Sequence, residues 1–419
     1  MIVKNFFNHH EFANLHSNVK VRLFLNFISR LHTSSLTILL PIFFSKSTTK
    51  SITAIIVAIV LGAGIIGRIV AGTLGDKYSR KKLIISSNSI EIIIFILLFL
   101  QLNWNVNNIF ILGLLFSLNG FLSAMKGPLF ESLLLDTLEP HNKKFVYSIN
   151  YWLGNLSISL SFVLAGFIFN GRLELIVLFG LFCHLFSIWI VNKHVKEEAI
   201  IRNKTLSNNT FGGYKSVLQD YKFVLFCIGF FLIMGVGAQL SNYIAIYLND
   251  TYEEIILTYY LDGIKLLSII QILNTILVVL IPICFPKLLM LKGISSFIFG
   301  TMLYSIGYSG LLLVNNFIGF ILCTVIYTLG ELLYYPFRQT ILADLVQREN
   351  QTKYMALNQI ILQASRVLGA AGIVIFSLLN KYVVSLCIVF LGLIGGLIIV
   401  YIHNSLNIRK SKELRNKTS

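Results

Sequence analysis

A single glutamate, Glu331, lies within a long run of apolar and aromatic residues, YTLGELLYYPFRQ, at positions 327–339. It follows Asn316 by 15 residues and precedes Asp344 by 13, so a continuous helix would place it about 20 Å from either end. A carboxylate at that depth can take up a proton and release it when water or a cationic ligand arrives. The alternative is a structural ion pair with Arg338, but that residue is about 10 Å further along a helix. We therefore expect Glu331 to bind a substrate or a proton.

Arg68 and Glu91 are a second place where charged side chains fall inside apolar stretches. Arg68 lies eight residues before Asp76, and Glu91 lies nine residues after Lys82. If the two stretches form adjacent antiparallel helices, both side chains lie about 12–14 Å from the same end. A charge is costly in apolar surroundings unless a partner neutralises it. We therefore predict a structural Arg68–Glu91 ion pair.

Arg30 and Arg366 are two further cations deep inside apolar stretches. Each needs an acid or a backbone carbonyl as a partner. Glu331 and Glu131 are both candidates, and the sequence leaves the choice open. Glu131 lies about one helical turn before Asp136, so its carboxylate can also extend towards the polar end of its helix.

Several uncharged polar side chains also lie within the apolar stretches. They are Asn150, Asn155, Gln239, Asn242, Asn358 and Gln363. Together they can line a water-filled cavity, whereas one such residue alone more often hydrogen-bonds a neighbouring helix. With Glu331, Glu131 and Arg30, the first five form the predicted substrate- and proton-binding set.

The sequence has no arrangement of residues typical of an enzyme. It contains no G-x-S-x-G, no H-E-x-x-H and no P-loop, and its eight histidines are scattered. None of the five cysteines forms a C-x-x-C pair, so we expect small apolar side chains rather than metal ligands or disulfides. We expect no enzymatic activity, no cofactor and no metal ion. Without a P-loop, uphill movement of a solute would need an ion gradient.

Long apolar segments must position these residues. The chain has 419 residues, of which 56% are hydrophobic and 12% are charged, and its mean hydropathy is +0.78. A helix needs about 20 apolar residues to cross a bilayer. Twelve segments are of this kind, at about 20–45, 51–75, 83–102, 108–135, 145–170, 172–194, 221–248, 261–285, 293–314, 316–343, 354–380 and 382–404. The sequence therefore predicts an all-α integral membrane protein with twelve transmembrane helices, surrounded by membrane lipids.

The positive charges predict the orientation of these helices. If both termini are cytoplasmic, 24 of the 34 Lys and Arg residues fall in cytoplasmic segments, five in outside loops and five within the helices. Cytoplasmic loops of membrane proteins are enriched in Lys and Arg. The same bias accounts for the formal net charge of +16, so we expect no nucleic-acid partner.

A polar stretch at residues 192–220 separates two halves of similar length. We predict an N-terminal six-helix bundle at 1–194, a cytoplasmic linker at 195–220 and a C-terminal six-helix bundle with a basic cytoplasmic tail at 221–419. The segments PLFESLLLDTLEPHNKKFVYSIN, from Pro128, and PFRQTILADLVQRENQTKYMALN, from Pro336, align without a gap at an offset of 208 residues. Such a parallel half-repeat is typical of major facilitator transporters, which bind substrate between the halves.

The stretch GTLGDKYSRKKL, at residues 72–83, resembles the signature loop of the major facilitator superfamily, G-x-L-x-D-x-x-G-R-K. The matching residues are Gly72, Leu74, Asp76, Arg80 and Lys81. Ser79 replaces the second glycine of that pattern, so the turn is expected to be less tight.

This resemblance implies a latch at the cytoplasmic ends of the helices. Asp76 would meet the N-terminus of helix 11, where the helix dipole favours an anion. Arg80 would reach Asp136 at the end of helix 4, and Asp344 is the counterpart of Asp136 in the second half. The alternative is that these charges only set the topology.

The whole chain resembles the LmrP-type multidrug/proton antiporters of Gram-positive bacteria, within the drug:H⁺ antiporter branch of the superfamily. The resemblance is carried by GDKYSRKK, LLLDTLEPHNKK, INYWLGNLS, YKSVLQD and IYTLGELLYYPFRQTILADL. It implies export of amphipathic, cationic small molecules in exchange for protons, by a monomer in the bacterial plasma membrane. It also implies that Glu331 lies in the central cavity and contributes to cation binding and proton coupling.

Three positions depart from that family. Asn150 replaces an aspartate at the start of helix 5, Ser241 replaces one in helix 7, and helix 12 carries no acid. These losses leave open an alternative function, the export of an endogenous metabolite or lipid with weak or altered proton coupling. A third possibility is a transporter-like receptor or scaffold, but nothing in the sequence favours it.

Overall fold

A computed structural model describes residues 15–103, 108–137, 143–195, 217–256, 258–284, 293–346 and 351–418. Helices dominate these ranges. They are α1 Ser17–Ser47, α2 Lys50–Lys77, α3 Arg80–Asn103, α4 Ile109–Thr137, α5 Lys143–Val163, α6 Leu173–His194, α7 in two parts (Tyr221–Ala238 and Tyr243–Thr251), α8 Gly263–Cys284, α9 Ile294–Gly310, α10 Phe317–Leu345, α11 Gln351–Ser377 and α12 Lys381–Thr418. A π-helical turn, Leu164–Ile168, continues α5.

Ten of these helices are long and apolar enough to cross a membrane, with the two parts of α7 counted as one. Of the other two, α5 has a shorter apolar stretch among the described residues, Trp152–Ile168, and α9 has 17 residues. The expected all-α integral membrane fold is confirmed, and its helix segments agree in number and order with the twelve expected from the sequence.

A short β-hairpin between α7 and α8 was not predicted. Strands β1 Glu253–Ile256 and β2 Tyr259–Asp262 pair antiparallel, with Glu253 opposite Asp262. The Asp262 carboxylate accepts a hydrogen bond from the Lys265 amide at 2.8 Å. The hairpin therefore ends where α8 begins.

Polar side chains mark the first turns of several helices. Thr49 accepts a hydrogen bond from the Ile52 amide before α2, and Asn316 accepts one from the Gly319 amide at 2.7 Å before α10. These side chains satisfy amides that have no partner within the helix. They explain why long apolar segments begin at defined positions.

The chain forms two compact units. Residues Leu248–Thr275 pack with helices α1–α6, and Ile276 onwards packs with the earlier part of α7. The predicted division at residues 195–220 groups the helices by sequence position alone and remains a prediction.

The core of the first unit holds a buried ion pair. The Glu91 carboxylate on α3 accepts a hydrogen bond from the Lys126 ammonium on α4, and its side chain is 0% exposed. His184 of α6 places Nδ1 3.3 Å from the same carboxylate and 3.0 Å from Asn88 Oδ1. The ring centroid of His32 on α1 lies 4.8 Å from that of His184. We call Glu91, Lys126, Asn88, His184 and His32 the Glu91 cluster.

The predicted Arg68–Glu91 ion pair is wrong. Glu91 pairs with Lys126 instead, and Arg68 takes part in no ion pair or hydrogen bond within the described residues. Distance along the helix axis places both residues at a similar depth, but it does not give the rotation of each helix about its axis. Glu91 faces α4 and α6, where Lys126 and His184 meet it.

The second unit is held by a close crossing of α9 and α10. A Cβ atom at Gly300 would lie 2.7 Å from the Tyr334 amide nitrogen, and one at Gly330 would lie 2.6 Å from the Gly300 carbonyl oxygen. Small residues let the backbones of membrane helices approach in this way. The glycines therefore set the distance between the two helices that carry the candidate site.

Replacing Lys126 by Met should lower the free energy of unfolding by about 3–5 kcal/mol, because it leaves the Glu91 carboxylate buried without its cation. Chemical denaturation of the purified protein measures this change. The double variant Lys126→Met with Glu91→Gln should recover much of the loss. Lys50→Met removes the exposed pair with Asp250 and should cost about 0–1 kcal/mol. Equal losses for Lys126→Met and Lys50→Met would contradict the buried pair.

Gly330→Ala should destabilise the protein by about 1–3 kcal/mol, because the added methyl group has no room between α9 and α10. Gly62→Ala is the matched control, since no heavy atom lies within 4 Å of its Cβ position and alanine favours a helix. Thermal unfolding in detergent should separate the two variants. If Gly330→Ala melts like Gly62→Ala, the helix crossing is looser than described.

Candidate functional site

Glu331 sits on α10 beside a row of tyrosines. Tyr327 and Tyr334 lie one turn before it and one turn after it, on the same face of the helix. Glu331 is half-buried, whereas Tyr327 and Tyr334 are each 1% exposed. Tyr304 and Tyr308 on α9 lie across the helix crossing, where their rings contact those of Tyr334 and Tyr327.

The four rings form a continuous chain of aromatic contacts. Ring centroids are 5.0 Å apart for Tyr334 and Tyr304, 4.8 Å for Tyr304 and Tyr308, and 4.3 Å for Tyr308 and Tyr327. Edge-to-face and offset contacts of this kind hold aromatic groups in fixed positions. We call these four residues the tyrosine row. Two of its members, Tyr327 and Tyr334, share a face of α10 with Glu331.

A glycine on α7 makes room for this row. A Cβ atom at Gly237 would collide with the Tyr304 hydroxyl oxygen and lie 3.6 Å from that of Tyr308. The hydroxyl groups therefore reach the backbone of α7. Three helices, α7, α9 and α10, together position the surroundings of Glu331.

Gln239 and Asn242 lie at the break between the two parts of α7. Gln239 Nε2 donates to the Gly235 carbonyl at 3.3 Å, and Asn242 Nδ2 donates to the Ala238 carbonyl at 2.7 Å. Both are buried, with Asn242 packed against Gly369 of α11. Here both side chains bond the carbonyls of their own helix near its break, and a role in substrate binding stays a prediction.

Arg338 is not the partner of Glu331. Its Nη2 donates to Asn358 Oδ1 at 2.6 Å, and its guanidinium carbon lies 3.5 Å from the Phe230 ring centroid. Arg338 is 1% exposed, so the amide and the aromatic face replace its water. Asn358, predicted to contact substrate, therefore supports a buried cation that links α7, α10 and α11.

In the first unit, Glu131 pairs with Arg22 of α1. Glu131 was one of two acids considered as partners for Arg30 and Arg366, and its pairing with Arg22 was not expected from the sequence. One turn along α1 from Arg22, Asn26 Nδ2 donates to Asn150 Oδ1 of α5 at 2.7 Å. Asn155 is half-buried further along α5.

The loop between α2 and α3 makes a contact that its motif did not predict. Lys81 Nζ donates to the carbonyl oxygens of Asn192, at 3.0 Å, and Val195, at 2.7 Å. These carbonyls are at the C-terminal end of α6, where the helix dipole favours a cation. Lys81 therefore connects the first turn of α3 to the end of α6.

The predicted latch also includes Gly72, Asp76, Arg80, Asp136 and Asp344. The side chains of Asp76 and Asp136 lie outside the described residues. Arg80 is half-buried, whereas Gly72 and Asp344 are exposed. The latch therefore stays a prediction.

The sequence does not show which residues are the partners of the candidate residues. Tyr304 and Tyr308 are four residues apart, a spacing that puts both on one face of a helix, but nothing in the sequence aligns that face with Glu331. Arg22, Asn26 and Arg30 have the same four-residue spacing. In the part of the chain that the structure describes, no group of three or more His, Cys, Asp or Glu side chains could hold a metal ion.

Comparisons with known proteins agree with this architecture. A family model described as Major Facilitator Superfamily matches residues 22–370. No curated protein matches the chain. The matching model covers the superfamily as a whole and does not distinguish its branches.

Solved structures with the same fold include three transporters. A POT family transporter in complex with a thioalcohol conjugated peptide has a TM-score of 0.72 and 15% identity, over 93% of this chain and 96% of that chain. A POT family transporter in complex with 5-aminolevulinic acid has a TM-score of 0.71 and 14% identity, over the same shares. The nucleoside transporter NupG has a TM-score of 0.70 and 13% identity, over 92% of this chain and 99% of that chain.

At these identities the likeness concerns the fold alone. The family match spans most of the chain, from α1 into α11. The chain therefore belongs to the Major Facilitator Superfamily of secondary transporters.

Proposed function

We propose that the protein exports a small organic molecule with a cationic group in exchange for protons, and that Glu331 binds both in turn. The observation that carries this proposal is the half-buried Glu331 carboxylate in the middle of α10, beside the tyrosine row. Arg338, the nearest cation along the same helix, is bound to Asn358. The carboxylate is thus not neutralised by Arg338.

A carboxylate can hold a proton or pair with a cation, but not both at once. This exclusion is the physical basis of exchange, because each ligand displaces the other from the same group. The tyrosine row would restrict water beside the carboxylate, which would strengthen its interaction with either ligand. Export by exchange also follows the resemblance to the LmrP-type antiporters.

The surroundings of Glu331 favour an amphipathic cation. Aromatic groups provide apolar contact area, and their ring faces attract positive charge. Binding sites for small molecules commonly combine such apolar walls with a few polar groups that fix orientation. An amphipathic cation, including a drug-like one, satisfies both features.

A second candidate is an endogenous metabolite with a protonated amine. It is favoured by the solved relatives, which are bound to a peptide conjugate and to 5-aminolevulinic acid. Asn150, which replaces an acid of the antiporter family, is occupied by its hydrogen bond with Asn26. Weaker proton coupling than in that family is consistent with this loss.

The remaining parts of the proposal concern the transport cycle. The two six-helix halves would alternate between opposite-facing states, with the latch of Asp76, Arg80, Asp136 and Asp344 closing the cytoplasmic side. Both termini would lie in the cytoplasm of a bacterial cell, and a monomer in the plasma membrane would suffice. The Lys and Arg bias of the loops supports this orientation.

Glu331→Gln should abolish transport driven by a pH gradient, because the amide cannot exchange a proton with a cation. Purified protein in liposomes would be tested with ethidium as the probe, with and without an imposed pH gradient. We expect at least a tenfold lower gradient-dependent rate for Glu331→Gln, as about 1.4 kcal/mol of lost coupling would produce.

Asp250→Asn is the matched control, since Asp250 is an exposed acid at the end of α7 and its loss should leave the rate unchanged. If Glu331→Gln kept the gradient-dependent rate of the unmodified protein, the proposed role of Glu331 would be wrong. A pH-driven rate for 5-aminolevulinic acid but none for ethidium would favour the metabolite.

A further inference from the structure

Helix α1 carries a row of three polar side chains in the first unit. Arg22, Asn26 and Arg30 are each one turn apart, so they lie along one face of the helix. The first two have partners on neighbouring helices. Arg22 pairs with Glu131 of α4, and Asn26 donates to Asn150 of α5.

Arg30 occupies the third position, and the residue it meets has no side chain. Gly154 of α5 lies one turn after Asn150, and a Cβ atom there would lie 2.5 Å from Arg30 Nη1 and 3.4 Å from its Cζ. The guanidinium therefore rests directly on the backbone of α5. No hydrogen bond or ion pair holds Arg30 within the described residues.

Arg30 also differs from Arg22 in its exposure. Arg22 is 6% exposed, whereas Arg30 is exposed. Arg30 lies 13 residues after Ser17 and 17 before Ser47, which places it about 20–25 Å from the ends of α1. A guanidinium facing lipid at that depth is strongly disfavoured, so we infer that it faces water.

A second arginine reinforces the positive charge. Arg68 of α2 is half-buried, lies within electrostatic reach of Arg30, and has no ion pair or hydrogen bond within the described residues. Two acids of the first unit, Glu131 and Glu91, are engaged by Arg22 and Lys126. Two guanidinium groups that repel each other are stabilised when an anion binds between them.

We propose that Arg30 and Arg68 bind an acidic group of the transported molecule, a carboxylate or a phosphate. Guanidinium groups suit such anions because their N–H donors match two acceptor oxygens at once. This inference rests on the proposed function, in which the protein moves a small molecule that also carries a cationic group. The transported molecule would then carry both an acidic and a cationic group.

Matched pairs of compounds test this proposal. The pairs are L-alanyl-L-alanine and its C-terminal amide, 5-aminolevulinic acid and its methyl ester, and uridine 5′-monophosphate and uridine. Thermal unfolding of the purified full chain would be recorded with each compound. We expect at least one acidic member to raise the melting temperature more than its counterpart without the acidic group, and the pair concerned distinguishes a carboxylate from a phosphate.

Arg30→Gln should remove this preference and weaken binding of the acidic compound about 10- to 100-fold, as for loss of a charge-assisted hydrogen-bonded pair. Arg68→Gln should weaken it less, and Arg30→Lys should keep part of it. Arg172→Gln is the control, because Arg172 is an exposed cation before α6 and should leave binding unchanged. Melting temperatures without ligand show whether each variant folds.

The proposal is overturned if no acidic compound stabilises the protein more than its counterpart, or if the preference survives in Arg30→Gln. Its failure is distinguishable from failure of the proposed function. An acid-dependent shift that requires Arg30, together with intact pH-driven transport by Glu331→Gln, would support the anion site and reject proton exchange at Glu331.

Discussion

The Glu91 carboxyl group is fully buried between helices, and the Lys126 ammonium lies against it. Every intramembrane charge in this protein is subject to the same constraint, since apolar surroundings penalise a charge without a partner. Two other cations have partners as well. Arg22 pairs with Glu131, and Arg338 contacts Asn358 and an aromatic ring. Such pairs fix how helices face one another.

Much of the fold could be predicted because hydrophobic length and charge bias are properties of the sequence itself. The twelve helices follow from the requirement for about 20 apolar residues, and the depth of Glu331 follows from its distance to Asn316 and Asp344 in the chain. Both required only the rise per residue of a helix. The separation of Glu331 from Arg338 was predicted on the same grounds, and the bond from Arg338 to Asn358 agrees with it.

The partners of the charged residues could not be predicted, because they depend on how each helix is rotated about its axis. Arg68 and Glu91 lie at similar depths, yet Glu91 turns towards Lys126 and His184. The tyrosine row was missed for a related reason. The contact of the α9 tyrosines with those of α10 depends on the close crossing at Gly300 and Gly330, and glycines in a membrane helix do not by themselves identify which helix they contact.

Proton release on ligand binding tests the central proposal most directly. Purified protein in weakly buffered detergent solution near neutral pH would be titrated with ethidium, and a pH indicator would report the protons released. We expect about one proton for each ethidium bound by the unmodified protein, because both compete for one carboxylate, and none from Glu331→Gln. Binding of ethidium without proton release, or equal release from Glu331→Gln, would contradict exchange at Glu331.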